Sequence, residues 1–124
     1  LADTIGVAVP TEIAFLLDQV VPAVDVAVGM HLHDTRGVAI ANAIAALQHG
    51  VRRLDASVGG LGGCPFAPNA SGNVPIEDLV HALSAMGVST GASVELLVAA
   101  AEIACGAVGR EVASHVGVAG PRFA

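Results

Sequence analysis

Met30-His31-Leu32-His33-Asp34-Thr35-Arg36-Gly37 is the stretch on which the reading of the fold turns. Val26, Ala27, Val28, Met30 and Leu32 make a short apolar run that reads as a buried strand, and polar residues gather at its end. A helix pattern follows at once. Val38, Ile40, Ala41, Ile44 and Leu47 recur at helical spacing, and Gly50 stops the helix. The stretch is therefore one strand-to-helix unit.

The same alternation continues outward. Before it, Thr11 is placed to cap a helix carrying Ile13, Leu16, Leu17, Val20 and Val21, and Leu1-Ala2-Asp3 reads as the end of an earlier strand. After it, Val51 to Ser57 reads as a second full strand, and a glycine-rich loop runs from Val58 to Asn73. Pro75 suits the first position of a helix with Ile76, Leu79, Val80, Leu83 and Met86 on one face, ended by Gly87. A last helix is expected from near Ser93 to about Val108, and a tail from Gly109 to Ala124 is expected to fray. Strands alternating with helices predict an α/β fold with a parallel sheet. Two strands and a stub cannot close a barrel. On its own the chain should expose sheet edges and apolar helix faces.

Composition narrows the function. The 124 residues amount to one domain at most, and 54% hydrophobic content with 13% charge excludes disorder. No apolar run approaches the roughly 18 residues of a membrane span. A net charge of -6 with 2% aromatic residues makes a poor nucleic-acid binder. The five basic residues are all arginine, so the segment supplies no Schiff-base lysine. Cys64 and Cys105 make no disulfide framework. The first residue is Leu1 and it already resembles a strand end, so the N-terminus reads as a truncation.

Several residues have the chemistry of a site. His31 and His33 alternate on a strand and so face the same way, where two imidazoles can hold one metal ion. They can equally be two polar residues at a strand end. Asp34 can orient an imidazole or cap the next helix, the cap being the simpler reading. Gly59-Gly60-Leu61-Gly62-Gly63-Cys64-Pro65 lets backbone approach a ligand and exposes a thiol, or it is a surface loop with an incidental cysteine. Asn73 can offer an amide oxygen to a hard cation or belong to the helix cap region. Glu77 is an ordinary first-turn acid on its own. Cys105 reads as a buried structural thiol. His49, His81 and His115 lack partners at ligand spacing and read as surface or packing residues.

Taken in order, these motifs resemble the 3-hydroxy-3-methylglutaryl-coenzyme A lyases, within a larger group of metal-dependent barrel lyases and Claisen-type synthases. The matching runs are Asp3-Thr4-Ile5-Gly6-Val7, His31 to Gly37, Asp55 to Ala67, Ala70 to Val74 and Glu77-Asp78-Leu79-Val80. The histidine motif is common to the larger group, whereas the Cys64 loop with Asn73 downstream is particular to the lyase branch.

The resemblance implies the C-terminal portion of a (β/α)8 barrel, about strands six to eight with their helices, over residues 1–108, followed by a tail over 109–124. It implies a divalent cation, Mg2+ or Mn2+, held by His31, His33 and Asn73. Cys64 would be an acid/base thiol on a mobile loop, Asp3 would line the site, and Glu77 would support the ligand shell. The substrate would be an acyl-CoA split to acetyl-CoA and acetoacetate, by a parent that is a homo-oligomer, a dimer. That parent would be cytoplasmic, or in the mitochondrial matrix of a eukaryote. An aspartate ligand and an arginine would come from a first strand absent here. The fragment alone would be inactive. Two rival readings are a sister enzyme with another 3-hydroxyacyl-CoA or 2-oxo acid substrate, and an inactive fragment acting only as an interaction module.

Overall fold

Three short parallel strands lie side by side in sequence order: β1 (Ala2–Asp3), β2 (Gly29–Leu32) and β3 (Arg53–Asp55). The computed structural model describes residues 1–63 and 69–121. Helix α1 (Pro10–Val20) joins β1 to β2 and α2 (Ala39–Gln48) joins β2 to β3; α3 (Ile76–Ala85), α4 (Val94–Ala107) and α5 (His115–Ala119) follow. This is an α/β arrangement whose three parallel strands are consistent with part of a barrel. No helix among the described residues is long and apolar enough to cross a membrane.

Residues alternate between the two sides of a strand, and β2 shows what each side meets. Met30 and Leu32 are 2% exposed and join Ile13, Leu17, Ala43, Ala46 and Val51 in the core beneath the helices. Burying Leu17 completely contributes about 1.5–3 kcal/mol. Ala39, Ala43 and Ala46 are fully buried on α2, where small side chains let the helix approach its neighbours closely. His31 and His33 emerge on the opposite side, away from this core.

Several boundaries differ from the sequence expectation. Val26, expected in the strand, is exposed, and β2 begins only at Gly29. The reason is pairing: Gly29 is the first residue of the run with a partner, Arg53 on β3. Likewise β3 is limited to Arg53–Asp55, the residues opposite Gly29, Met30 and His31. Thr11 does not cap α1. Pro10 already occupies the first turn, and the Glu12 carboxylate accepts from Val9 N at 3.1 Å. Pro75 is the residue before α3 rather than its first, with its carbonyl accepting from Leu79 N at 3.1 Å. The start of α4 near Ser93 agrees with the expectation, and Ser93 caps the helix, its side chain accepting from Leu96 N at 3.2 Å.

The larger correction concerns the tail. It does not fray through residue 121 but folds back onto α3. Asp78 is buried there and accepts from His115 N (2.9 Å), His115 Nδ1 (3.1 Å) and Val116 N (2.7 Å). Ser114 caps α5 through Gly117 N at 2.9 Å. A carboxylate on the exposed amides of a helix start is electrostatically favourable, which periodicity alone does not reveal. His49 also has a partner, Asp18, at 2.7 Å.

Two outcomes are expected. Asp78→Ala leaves buried donors at the start of α5 unpaired, which costs about 1–3 kcal/mol; a lower urea midpoint and faster proteolysis within residues 109–121 would show it. The 124-residue chain by itself exposes Phe15, Ile103 and Val118 at 69, 75 and 79%. Sedimentation should find it self-associated, and a cooperatively melting monomer would overturn that.

Candidate functional site

The site begins with β2. His31 and His33 share one face, and their rings meet edge to face with centroids 5.1 Å apart. His33 is 6% exposed, and His31 is half-buried.

The third expected ligand arrives from the other end of the glycine loop. The chain returns at Gly72 and lies antiparallel across the end of β2. Asp34 N donates to Gly72 O at 3.1 Å, and Val74 N donates to Leu32 O at 3.0 Å. These bonds flank the bridge between His33 and Asn73. In a pair of this kind the two residues share no backbone hydrogen bond and their Cα atoms approach to about 4.5 Å, with side chains close together. Asn73 therefore stands beside His33, on the face that His31 shares. The same segment is fixed to the end of β3 by Ser57 N, which donates to Val74 O at 3.2 Å.

The orientation of Asn73 is set by the loop. Its Nδ2 donates to Leu61 O at 2.9 Å, which commits the nitrogen and leaves the amide oxygen uncommitted among the described residues. Ser57 Oγ donates to the same carbonyl at 2.5 Å and holds it in place. Gly62 makes this approach possible: its φ is +128°, and a Cβ there would lie 2.4 Å from Asn73 Nδ2.

Two imidazoles and an amide oxygen on one face can take a divalent cation. His33 Nδ1 is buried and has no hydrogen-bond partner among the described residues. Such an atom costs stability unless something else satisfies it, as a metal-ligand set does. Among the described residues no three His, Cys, Asp or Glu side chains gather as a ligand set, so a cation here would rely on Asn73 and on groups beyond them. A cleft of about 250 Å3 opens beside Asn73, bounded by Asp34, Gly60, Pro75, Ala113 and His115.

The remaining expected residues are placed as follows. Asp34 caps α2, its Oδ1 accepting from Ala39 N at 2.9 Å. Asp3 is in register with Leu32, and so shares the core face, and its two oxygens accept from Val7 N (3.1 Å) and Ala8 N (3.0 Å). Its carboxylate fixes the β1–α1 turn, which Arg36 Nη1 ties to the β2–α2 turn through Ile5 O and Gly6 O. Glu77 is fully buried, and both its oxygens face Gly59 N, at 2.9 and 3.2 Å. It pins the start of the glycine loop and does not touch the histidines. Gly59 has φ +61°, and a Cβ on it would meet Cys105 Sγ at 2.4 Å, so the buried thiol of α4 packs under the loop. Cys64 lies outside the described residues.

Three residues given no role by the sequence reading belong here. Ser57 and Leu61 hold Asn73, and Asp55 contacts His31 Nδ1. Only Asp55 left a readable sign, as a polar residue at a strand end that parallel pairing sets opposite His31.

The chain has clear relatives. The family model described as HMGL-like matches residues 1–104. The (R)-citramalyl-CoA lyase of Chloroflexus aurantiacus is 49% identical over 124 residues, covering 99% of this chain and 39% of that protein. The human mitochondrial hydroxymethylglutaryl-CoA lyase is 45% identical over 117 residues, 94% of this chain and 36% of that enzyme. The crystal structure of the hydroxymethylglutaryl-CoA lyase from Pseudomonas aeruginosa superimposes with a TM-score of 0.90 at 38% identity, covering 96% of this chain and 40% of that one. The chain thus spans well under half the length of each.

The geometry makes Glu77→Gln informative. An amide offers one acceptor where the carboxylate presents two oxygens to Gly59 N, and it sets an N–H2 group against a donor. The expected loss is about 1–3 kcal/mol, read from the urea midpoint of the full-length protein. An unchanged midpoint would show that the loop does not depend on this contact.

Proposed function

The chain belongs to the HMGL-like family, and from that premise we propose that it is the C-terminal part of a metal-dependent carbon–carbon lyase acting on 3-hydroxy-3-methylglutaryl-CoA. The observation that carries the proposal is the convergence of His31, His33 and Asn73 on one face, with His33 Nδ1 buried and unpartnered. In this reading β1, β2 and β3 are strands six to eight of a (β/α)8 barrel, and the face bearing the histidines looks into it at the C-terminal end, where such barrels do chemistry.

His31, His33 and Asn73 would hold the cation, Mg2+ or Mn2+. When bound, the cation would stabilise negative charge on the substrate oxygens. A general base takes the proton of the C3 hydroxyl, the C2–C3 bond breaks to release acetoacetate, and its electron pair leaves as the acetyl-CoA enolate. Cys64 returns a proton to the enolate carbon. Glu77 anchors the root of the loop that carries this thiol, through Gly59. Asp3 keeps the β1–α1 turn at the rim of the site. An aspartate and an arginine from the rest of the full-length protein complete the ligand and oxyanion sets, and that protein works as a dimer.

A second reading has its own support, since a citramalyl-CoA lyase is among the most similar relatives. The two share the cleavage of a branched 3-hydroxyacyl thioester and differ in what the acyl pocket accepts.

The test offers both thioesters to the full-length protein with Mg2+ or Mn2+, beside its Cys64→Ala variant. Metal-dependent acetoacetate release that falls by at least about 100-fold in the variant is expected, the range for a lost acid/base group. Turnover of citramalyl-CoA alone would replace the substrate. Turnover of neither by folded, metal-loaded protein would overturn both substrate readings in favour of a sister enzyme that takes another 3-hydroxyacyl-CoA or 2-oxo acid. Unchanged release by Cys64→Ala would remove the thiol from the chemistry.

A further inference from the structure

We infer that Asp55 is a positioning residue that sets the tautomer and rotation of the His31 imidazole. The inference rests on the metal reading above and extends it to a residue with no role there.

Parallel pairing puts Asp55 directly opposite His31, so the two side chains leave the sheet on the same face. The Asp55 carboxylate contacts His31 Nδ1. His33 also meets the ring, edge to face at 5.1 Å. His31 is thus contacted by a carboxylate from the neighbouring strand and by a second imidazole along its own, and both restrict its rotation. A carboxylate only accepts hydrogen bonds, so the neutral ring must carry its proton on Nδ1 to engage it. Nε2 is then the unprotonated nitrogen, the form a cation requires.

In this chain the Asp55 side chain is 72% exposed and that of His31 is 36% exposed, and a contact so open to water contributes about 0–1 kcal/mol to the folding of the chain itself. Fixing a ligand ring, by contrast, commonly changes metal affinity about 10- to 100-fold.

The experiment uses the full-length protein, Asp55→Asn and Asp55→Glu, with two readouts. Mn2+ binding is followed by the loss of its free electron-spin-resonance signal. The nitrogen chemical shifts of His31 are measured in the metal-free protein. In Asp55→Asn, Mn2+ affinity should fall about 10- to 100-fold. His31 should also lose its Nδ1-protonated signature, because an amide can present either a donor or an acceptor to the ring. Asp55→Glu should retain the signature and recover part of the affinity. Wild-type affinity and unchanged nitrogen shifts in Asp55→Asn would overturn the inference while leaving the metal reading intact. A wild-type protein that binds no Mn2+ would overturn the metal reading and this inference with it.

Discussion

Everything at this site depends on one short piece of backbone, Gly72-Asn73-Val74, laid antiparallel across the end of a parallel sheet. Parallel strands leave their last amides and carbonyls pointing past the sheet edge, and a buried backbone group without a partner is costly. Here the returning chain meets that demand. Leu32 O and Asp34 N are satisfied by Val74 and Gly72, and Ser57 N by Val74 O. Val74 itself is fully buried. One set of backbone bonds therefore closes the sheet, anchors α3 and delivers Asn73 to His33.

Two carboxylates in the first turn of α3 carry this arrangement outward. Glu77 holds Gly59 at the root of the glycine loop, and the adjacent Asp78 holds the start of α5. Both are buried acids near the positive end of a helix, where the dipole and backbone donors offset part of the desolvation cost. Cys105 of α4 closes the loop from below against Gly59. The loop root is thus fixed by neighbours that approach it from two helices.

How much of this was legible in the sequence follows from how local each feature is. The order of strands and helices, the shared face of His31 and His33, the start of α4 near Ser93 and the burial of Cys105 depend on spacing and nearby side chains, and they could be read. Strand ends could not, because Val26 and Ser57 lose or gain pairing according to what lies beside them. The docking of α5 on Asp78 joins residues 37 positions apart and leaves no periodic trace. The register of Asp3 with Leu32, and its bonds to Val7 N and Ala8 N, depend on how the chain pairs and turns, which the motif does not state. The residue pattern singled out candidate side chains for a site. It did not say which of them touch one another.

The acceptor that orients Asn73 is a main-chain oxygen, at Leu61, and this has a consequence for how such a sequence can vary. A carbonyl cannot be replaced by mutation, so the identity of the side chain at position 61 matters little to the amide that leans on its backbone. Chain length matters a great deal. One residue inserted or removed between Ser57 and Gly62 would rotate that carbonyl away, and no compensating side chain could restore it. Over this stretch the information that specifies the site lies in the count of residues more than in their names, and related chains should differ here by substitution long before they differ by a gap.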